Sequence, residues 1–148
     1  MKNNEKSYLQ EGTRLFRSIF AFGFHDTKIT KFEIVNEYIK ISFGEGIYNL
    51  DKRGREKDLT KPIAMFIKID NTFSLNLMYC FDITSVSSRK MKYFNEEPLF
   101  TKNALNGAIV YDLFYSTFSS MIMIHAKYKL RQFYITILDC MEVWFEYI

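Results

Sequence analysis

The sequence predicts a mainly β (or α+β) fold, a single antiparallel β-meander or barrel-like sheet of about eight strands with a short N-terminal helix. Three observations carry this expectation. Apolar and polar residues alternate with period two in run after run, the pattern of half-buried strands. Short turn signals such as Asn36-Glu37, Gly44-Glu45-Gly46 and Ser119-Ser120 separate the runs. Between the runs there is no helix-length segment that would support a parallel crossover, so consecutive strands pair as hairpins.

The chain of 148 residues fits one domain spanning residues 1–148, enough to bury roughly two-thirds of the surface its unfolded form exposes. Hydrophobic residues make up 48%, with 15 Phe and 10 Tyr against only 6 Gly and 2 Pro, so a large aromatic core is expected rather than disorder or a loop scaffold. No repeat at the spacing of a propeller or solenoid is present.

Taken in order, residues 7–19 carry Leu9, Leu15, Phe16 and Ile19 at near-helical spacing, although Gly12 interrupts them. The apolar tract that follows Lys2 and Lys6 superficially resembles a signal peptide. Arg17 breaks the run and no small-residue cleavage site follows, so the tract is assigned to the fold. After Phe24-His25-Asp26, Phe32 and Ile34 mark one strand and Ile39, Ile41 and Phe43 the next, with Asn36-Glu37 as a two-residue hairpin link. Ile47, Tyr48 and Leu50 form a short third strand, and residues 51–61 are a mixed-charge loop.

Ile63, Met65, Ile67 and Ile69 form a strand whose expected antiparallel partner, across Asn71-Thr72, is Leu75, Leu77, Tyr79 and Phe81. Residues 85–106 are a loop with room for one short strand, broken at Pro98. Residues 109–118 and 121–126 are strands, residues 127–131 turn the chain, and Phe133–Ile137 and Val143–Tyr147 patterns close it around Asp139-Cys140. The last strand leaves an edge on which a second copy of the chain could pair, giving a homodimer.

Charge and cysteine usage restrict the function classes. With 20 basic and 17 acidic side chains the formal net charge is +3, too little to demand a nucleic-acid partner. Cys80 and Cys140 lie in apolar strand patterns without metal or redox spacing, which predicts free buried thiols and a cytoplasmic, reducing setting. No segment has the apolar length of about 20 residues that spans a bilayer as a helix, so no membrane partner is expected. Two His and two isolated Cys supply no recognisable metal set, and the hydrolase, zincin, dinucleotide and P-loop signatures are absent. Neither a cofactor nor an enzymatic activity is expected.

The candidate chemistry rests on few residues. His25-Asp26 pairs an imidazole with a carboxylate, the elements of acid–base work, but the structural alternative is stronger: Asp26 accepting backbone N–H bonds at a turn and His25 packing on Phe22 and Phe24. His125, in phase with Met121 and Met123, is expected to face inward and be hydrogen-bonded. A basic patch is conceivable from Lys127, Lys129 and Arg131, alternating along one strand face, joined by Arg89, Lys90 and Lys92. The ordinary alternative is a solvated sheet edge guarded by lysines.

Phe24-His25-Asp26, followed by Thr27-Lys28-Ile29 and a second short strand, resembles an "FHDxxI" opening of small bacterial β-rich proteins, several of them immunity proteins of polymorphic toxin systems. The resemblance extends loosely over the apolar strand at Ile63–Ile69 and the C-terminal strand pair. It implies a non-enzymatic protein that binds a cognate toxin and blocks it. The alternatives are a small-molecule-binding or enzymatic barrel using His25, Asp26 and His125 in an aromatic pocket, and a nucleic-acid-binding module on the basic patch.

Overall fold

A computed structural model describes residues 16–35, 38–69, 79–82, 91–93, 105–129 and 131–148. The chain is mainly β, and among the described residues every strand pair is antiparallel. It begins with a 3-10 helix, Arg17–Ala21, and continues through β1 (Phe22–Gly23), β2 (Thr27–Lys28), β3 (Lys31–Val35), β4 (Tyr38–Phe43), β5 (Tyr48–Leu50), β6 (Glu56–Leu59) and β7 (Ile63–Ile69). Then follow β8 (Tyr79–Asp82), β9 (Met91–Tyr93), β10 (Ile109–Ser116), β11 (Met121–Tyr128), β12 (Arg131–Ile137) and β13 (Cys140–Tyr147).

The strands form three sheets rather than one: β1-β5-β6, β2-β10-β11-β12-β8-β9 and β13-β7-β4-β3. Among the described residues none closes into a barrel, because each strand order is linear. The four-stranded sheet turns Phe32, Ile41, Met65 and Ile67 inward, and the six-stranded sheet adds Val110, Ile122, Ile124 and Ile135 to the same buried cluster. Alternation at period two is what lets each sheet present one apolar face to the other.

Several local expectations need correction. The expected N-terminal helix is a 3-10 helix over Arg17–Ala21, and residues 7–15 lie outside the described residues. Its Ser18 hydroxyl donates to the Val143 carbonyl at 2.9 Å, so the helix rests on the edge strand β13. Part of the mixed-charge loop is strand: β6 pairs with β5, because Asp51 accepts from the Arg53 and Arg55 backbone N–H groups and tightens the turn between them.

The hairpin expected after Ile69 does not form between β7 and β8. Both edges of β7 are taken, by β4 on one side and β13 on the other, while β8 pairs with β12 and β9. Leu75 and Leu77 lie outside the described residues. The region 127–131 is not a turn throughout: strand β11 runs to Tyr128, which faces Arg131 across the link at Lys129. The link at residues 36–37 lies outside the described residues, but Val35 stands opposite Tyr38, as a two-residue hairpin requires.

Two glycines separate backbone strain from lack of space. Gly46 has φ +84°, and a Cβ there would run into the Thr60 carbonyl, whose own N–H donates to Ile47 at 2.7 Å. Gly54 has φ +75° but open space around it. Gly54→Ala should therefore destabilise by only about 1 kcal/mol through its left-handed backbone. Gly46→Ala should cost about 3 kcal/mol because a steric clash adds to the same strain. Urea denaturation of the two variants in parallel checks the difference.

Candidate functional site

The Phe-His-Asp corner joins two sheets. Phe22 and Gly23 pair with β5, and two residues past Asp26 the chain has already paired with β10. Asp26 takes φ 57°, the left-handed conformation that Asp tolerates, and its N–H donates to the Val110 carbonyl at 2.8 Å. Thr27 closes the turn, its hydroxyl donating to the Phe24 carbonyl at 2.6 Å. The corner is thus fixed by backbone groups and the Thr27 hydroxyl. The expected role of the Asp26 carboxylate as an acceptor of backbone N–H bonds is not observed among the described residues.

His25 is held from both sides of its ring. Nδ1 lies 2.8 Å from the Tyr111 carbonyl and Nε2 lies 3.2 Å from Asp26 Oδ2. The carbonyl can only accept, so Nδ1 carries the proton it shares with Tyr111, and the Asp26 carboxylate beside Nε2 favours the protonated ring. The Tyr111 carbonyl first, then Asp26, with the more distant Glu56 and Asp112, raise its pKa above the ordinary 6.5. With Nδ1 bonded and Nε2 beside a carboxylate, the ring is poorly suited to act as a base. The side chain is more than half exposed and does not pack into the aromatic core.

Beneath this corner lies an open cleft of about 400 Å³, between the 3-10 helix, the β5–β6 hairpin and β10. Phe20, Phe22 and Tyr115 supply aromatic wall, and His25, Glu56 and Asp112 supply charge. Phe20 and Tyr115 are in ring contact, with centroids 5.6 Å apart. Sequence reasoning missed Glu56, Asp112 and Tyr111. Their convergence depends on a bulge in β10 between Val110 and Asp112, which no alternation pattern reveals.

His125 is elsewhere. On β11 it shares the face of Met121 and Met123, opposite the buried Ile122, Ile124 and Ala126. Its ring stacks on Tyr134, with centroids 4.5 Å apart and planes at 22°, and meets Tyr111 at 4.9 Å. Among the described residues its Nε2 is buried and has no hydrogen-bond partner, contrary to expectation. Both histidines therefore touch Tyr111, one through the carbonyl and one through the ring. No group of three or more His, Cys, Asp or Glu that could hold a metal ion occurs among the described residues.

Cys140 is a buried free thiol whose pKa is pushed up to about 12 by burial, and its Sγ lies 3.6 Å from the Ile137 carbonyl. That suppresses the thiolate a nucleophile needs. The side chain of Cys80 lies outside the described residues. The expected basic strand face is not formed: Lys127 lies opposite Gln132, Arg131 opposite Tyr128, and Lys129 is in the link with φ 54° and its ammonium 5.4 Å from the Tyr128 ring. Lys92 is on the edge strand β9, two strands from β12, and Arg89 and Lys90 lie outside the described residues.

A second surface stands out on the outer face of the four-stranded sheet. Trp144 on β13 stacks on Phe66 of β7, with centroids 5.1 Å apart and planes at 8°, and Tyr38 of β4 lies 6.0 Å from Phe66. The Lys40 ammonium is 5.7 Å from the centre of the Phe66 ring. All three rings are half-buried, and the cross-strand neighbours include Glu142 opposite Lys68 and Glu33 opposite Lys40. Neighbouring strands place these side chains side by side because residues in register share a face.

Two outcomes follow from the histidines. An NMR titration should find the His25 pKa above 6.5. Its stabilising contribution is complete below the unfolded value and lost as pH rises through the higher folded value, and His25→Gln should flatten that dependence. His125→Phe keeps the ring stack and removes the unpartnered nitrogen, so it should leave stability unchanged or raise it by about 1 kcal/mol; thermal melts check this.

Comparison of the chain with protein-family models, with curated proteins and with solved structures finds no match, and the functional reading rests on the two surfaces described above.

Proposed function

We propose that the chain is a protein-binding module without catalytic chemistry of its own, acting as an immunity-type protein that occludes a cognate toxin. The observation that carries this is the Tyr38–Phe66–Trp144 cluster on the outer face of the four-stranded sheet. Aromatic anchors at the centre with charged residues around them are the composition of an energetic interface core. Strands hold the anchors rigidly, so little side-chain freedom is lost on association. The role of toxin inhibitor comes from the FHDxxI resemblance, and the committed state of His25 and the raised pKa of Cys140 agree with a function that needs no activated group.

The volume of the corner cleft favours a second reading, a small-molecule site, since ligand clefts start at about 300 Å³. A homodimer paired along β13 would have to displace the Ser18 hydroxyl from the Val143 carbonyl, so the aromatic face is the better interaction surface. A cytoplasmic setting belongs to the same proposal, because intracellular occlusion of a toxin and a reduced Cys140 both suit it.

The test is co-expression with a toxin-like product, if one is encoded beside the gene. The wild-type chain should restore growth, and the Phe66→Ala/Trp144→Ala double variant should lose protection while retaining its fold by circular dichroism. Since Trp144 is the sole Trp, its fluorescence should change on adding purified toxin. Full protection by the double variant, or unchanged fluorescence in a formed complex, would overturn the assignment of this face.

A further inference from the structure

We propose that the cleft beneath the Phe-His-Asp corner is a binding site for a guanidinium group on a short alkyl chain. This goes beyond the protein-binding reading and does not depend on it, because the cleft is formed by the three-stranded sheet, the 3-10 helix and β10. The charge of the site favours a cation. Glu56 and Asp112 both line it, and neither has an ion-pair partner within 4.0 Å among the described residues. The one basic side chain lining the cleft, His25, lies 3.2 Å from Asp26, a carboxylate beyond the lining.

The walls select the kind of cation. Phe20, Phe22, Phe24 and Tyr115 line the same space, and aromatic faces attract cations. A guanidinium is planar, weakly hydrated, stacks on rings and presents parallel N–H groups to a carboxylate, whereas an ammonium is compact and holds its water. Three methylenes or four would lie along Ile19, Leu50 and Leu113, the aliphatic part of the lining.

Gly23 contributes through what it lacks. A Cβ at that position would stand 2.8 Å from Glu56 Oε1 and 2.9 Å from its Cγ. Glycine therefore leaves room for the Glu56 side chain, which lines the cleft, to pass close to β1, and any larger residue would force that side chain to shift. Glu56 and Asp112 are both exposed, so replacing either does not open the core.

The experiment follows amide NMR shifts of the full chain during titration with n-butylguanidinium at constant ionic strength, with n-butylammonium, 1-butanol and butyrate as comparators. Saturable shifts confined to the corner, the β5–β6 hairpin and β10 are expected, in the order guanidinium, ammonium, then the neutral and anionic probes. Glu56→Gln and Asp112→Asn should each weaken binding about tenfold, the loss of one charge-assisted bond. Gly23→Ala should weaken it as well, with shifts elsewhere unchanged.

A capped arginine amide separates two sources of the same chemistry. Binding several-fold tighter than n-butylguanidinium identifies an arginine side chain of a polypeptide, and equal binding identifies a free alkylguanidine; both support the site. Absence of saturation with every guanidinium probe, equal binding of 1-butanol, or unchanged affinity in both carboxylate variants overturns it. Because no protein partner enters the assay, failure here is independent of the toxin-binding result.

Discussion

The backbone constraint on which the fold depends is the left-handed turn at Asp26. Within Phe22–Val35 the chain enters all three sheets in succession: β1 in the three-stranded sheet, β2 in the six-stranded sheet and β3 in the four-stranded sheet. So abrupt a change of partner needs a fixed corner. The Asp26 N–H bond to Val110 and the Thr27 bonds to Phe24 supply one without using a side-chain charge. The corner also sets the cleft, since it carries β1 and His25 to the same side as β10.

How far this was legible depends on the range of the signal. Strand type was plain from local alternation, as at Ile39, Ile41 and Phe43, because burial on one face is written residue by residue. Partner choice was not. The pattern at Ile63–Ile69 is equally compatible with β8 and with β13, and β13 takes the place because Val143 and Phe145 bring their apolar side chains to the shared core while Trp144 lands on Phe66. Sequence neighbourhood favoured the wrong strand.

The candidate site shows the same division. His25 and Asp26 drew notice because they are adjacent and titratable, yet their chemistry is decided by Tyr111, 86 positions from His25. Glu56 lay within what looked like an ordinary solvated loop and Asp112 within an ordinary strand. The β10 bulge next to Asp112 and the space left by Gly23 beside Glu56 are features of the folded chain, and both residues line the one cleft. Sites assembled from several sheets in this way leave no spacing signature.

The pairing of β13 with β7 has a consequence for how the molecule is made. The strands that lie between them in sequence, β8 to β12, belong to a different sheet. During synthesis β7 therefore waits with one edge bare until those strands have been produced, and the four-stranded sheet is completed only after much of its neighbour exists. Such long-range closure is slow, and the waiting edge, rich in Ile and Met, is the surface that chaperones would be expected to shield.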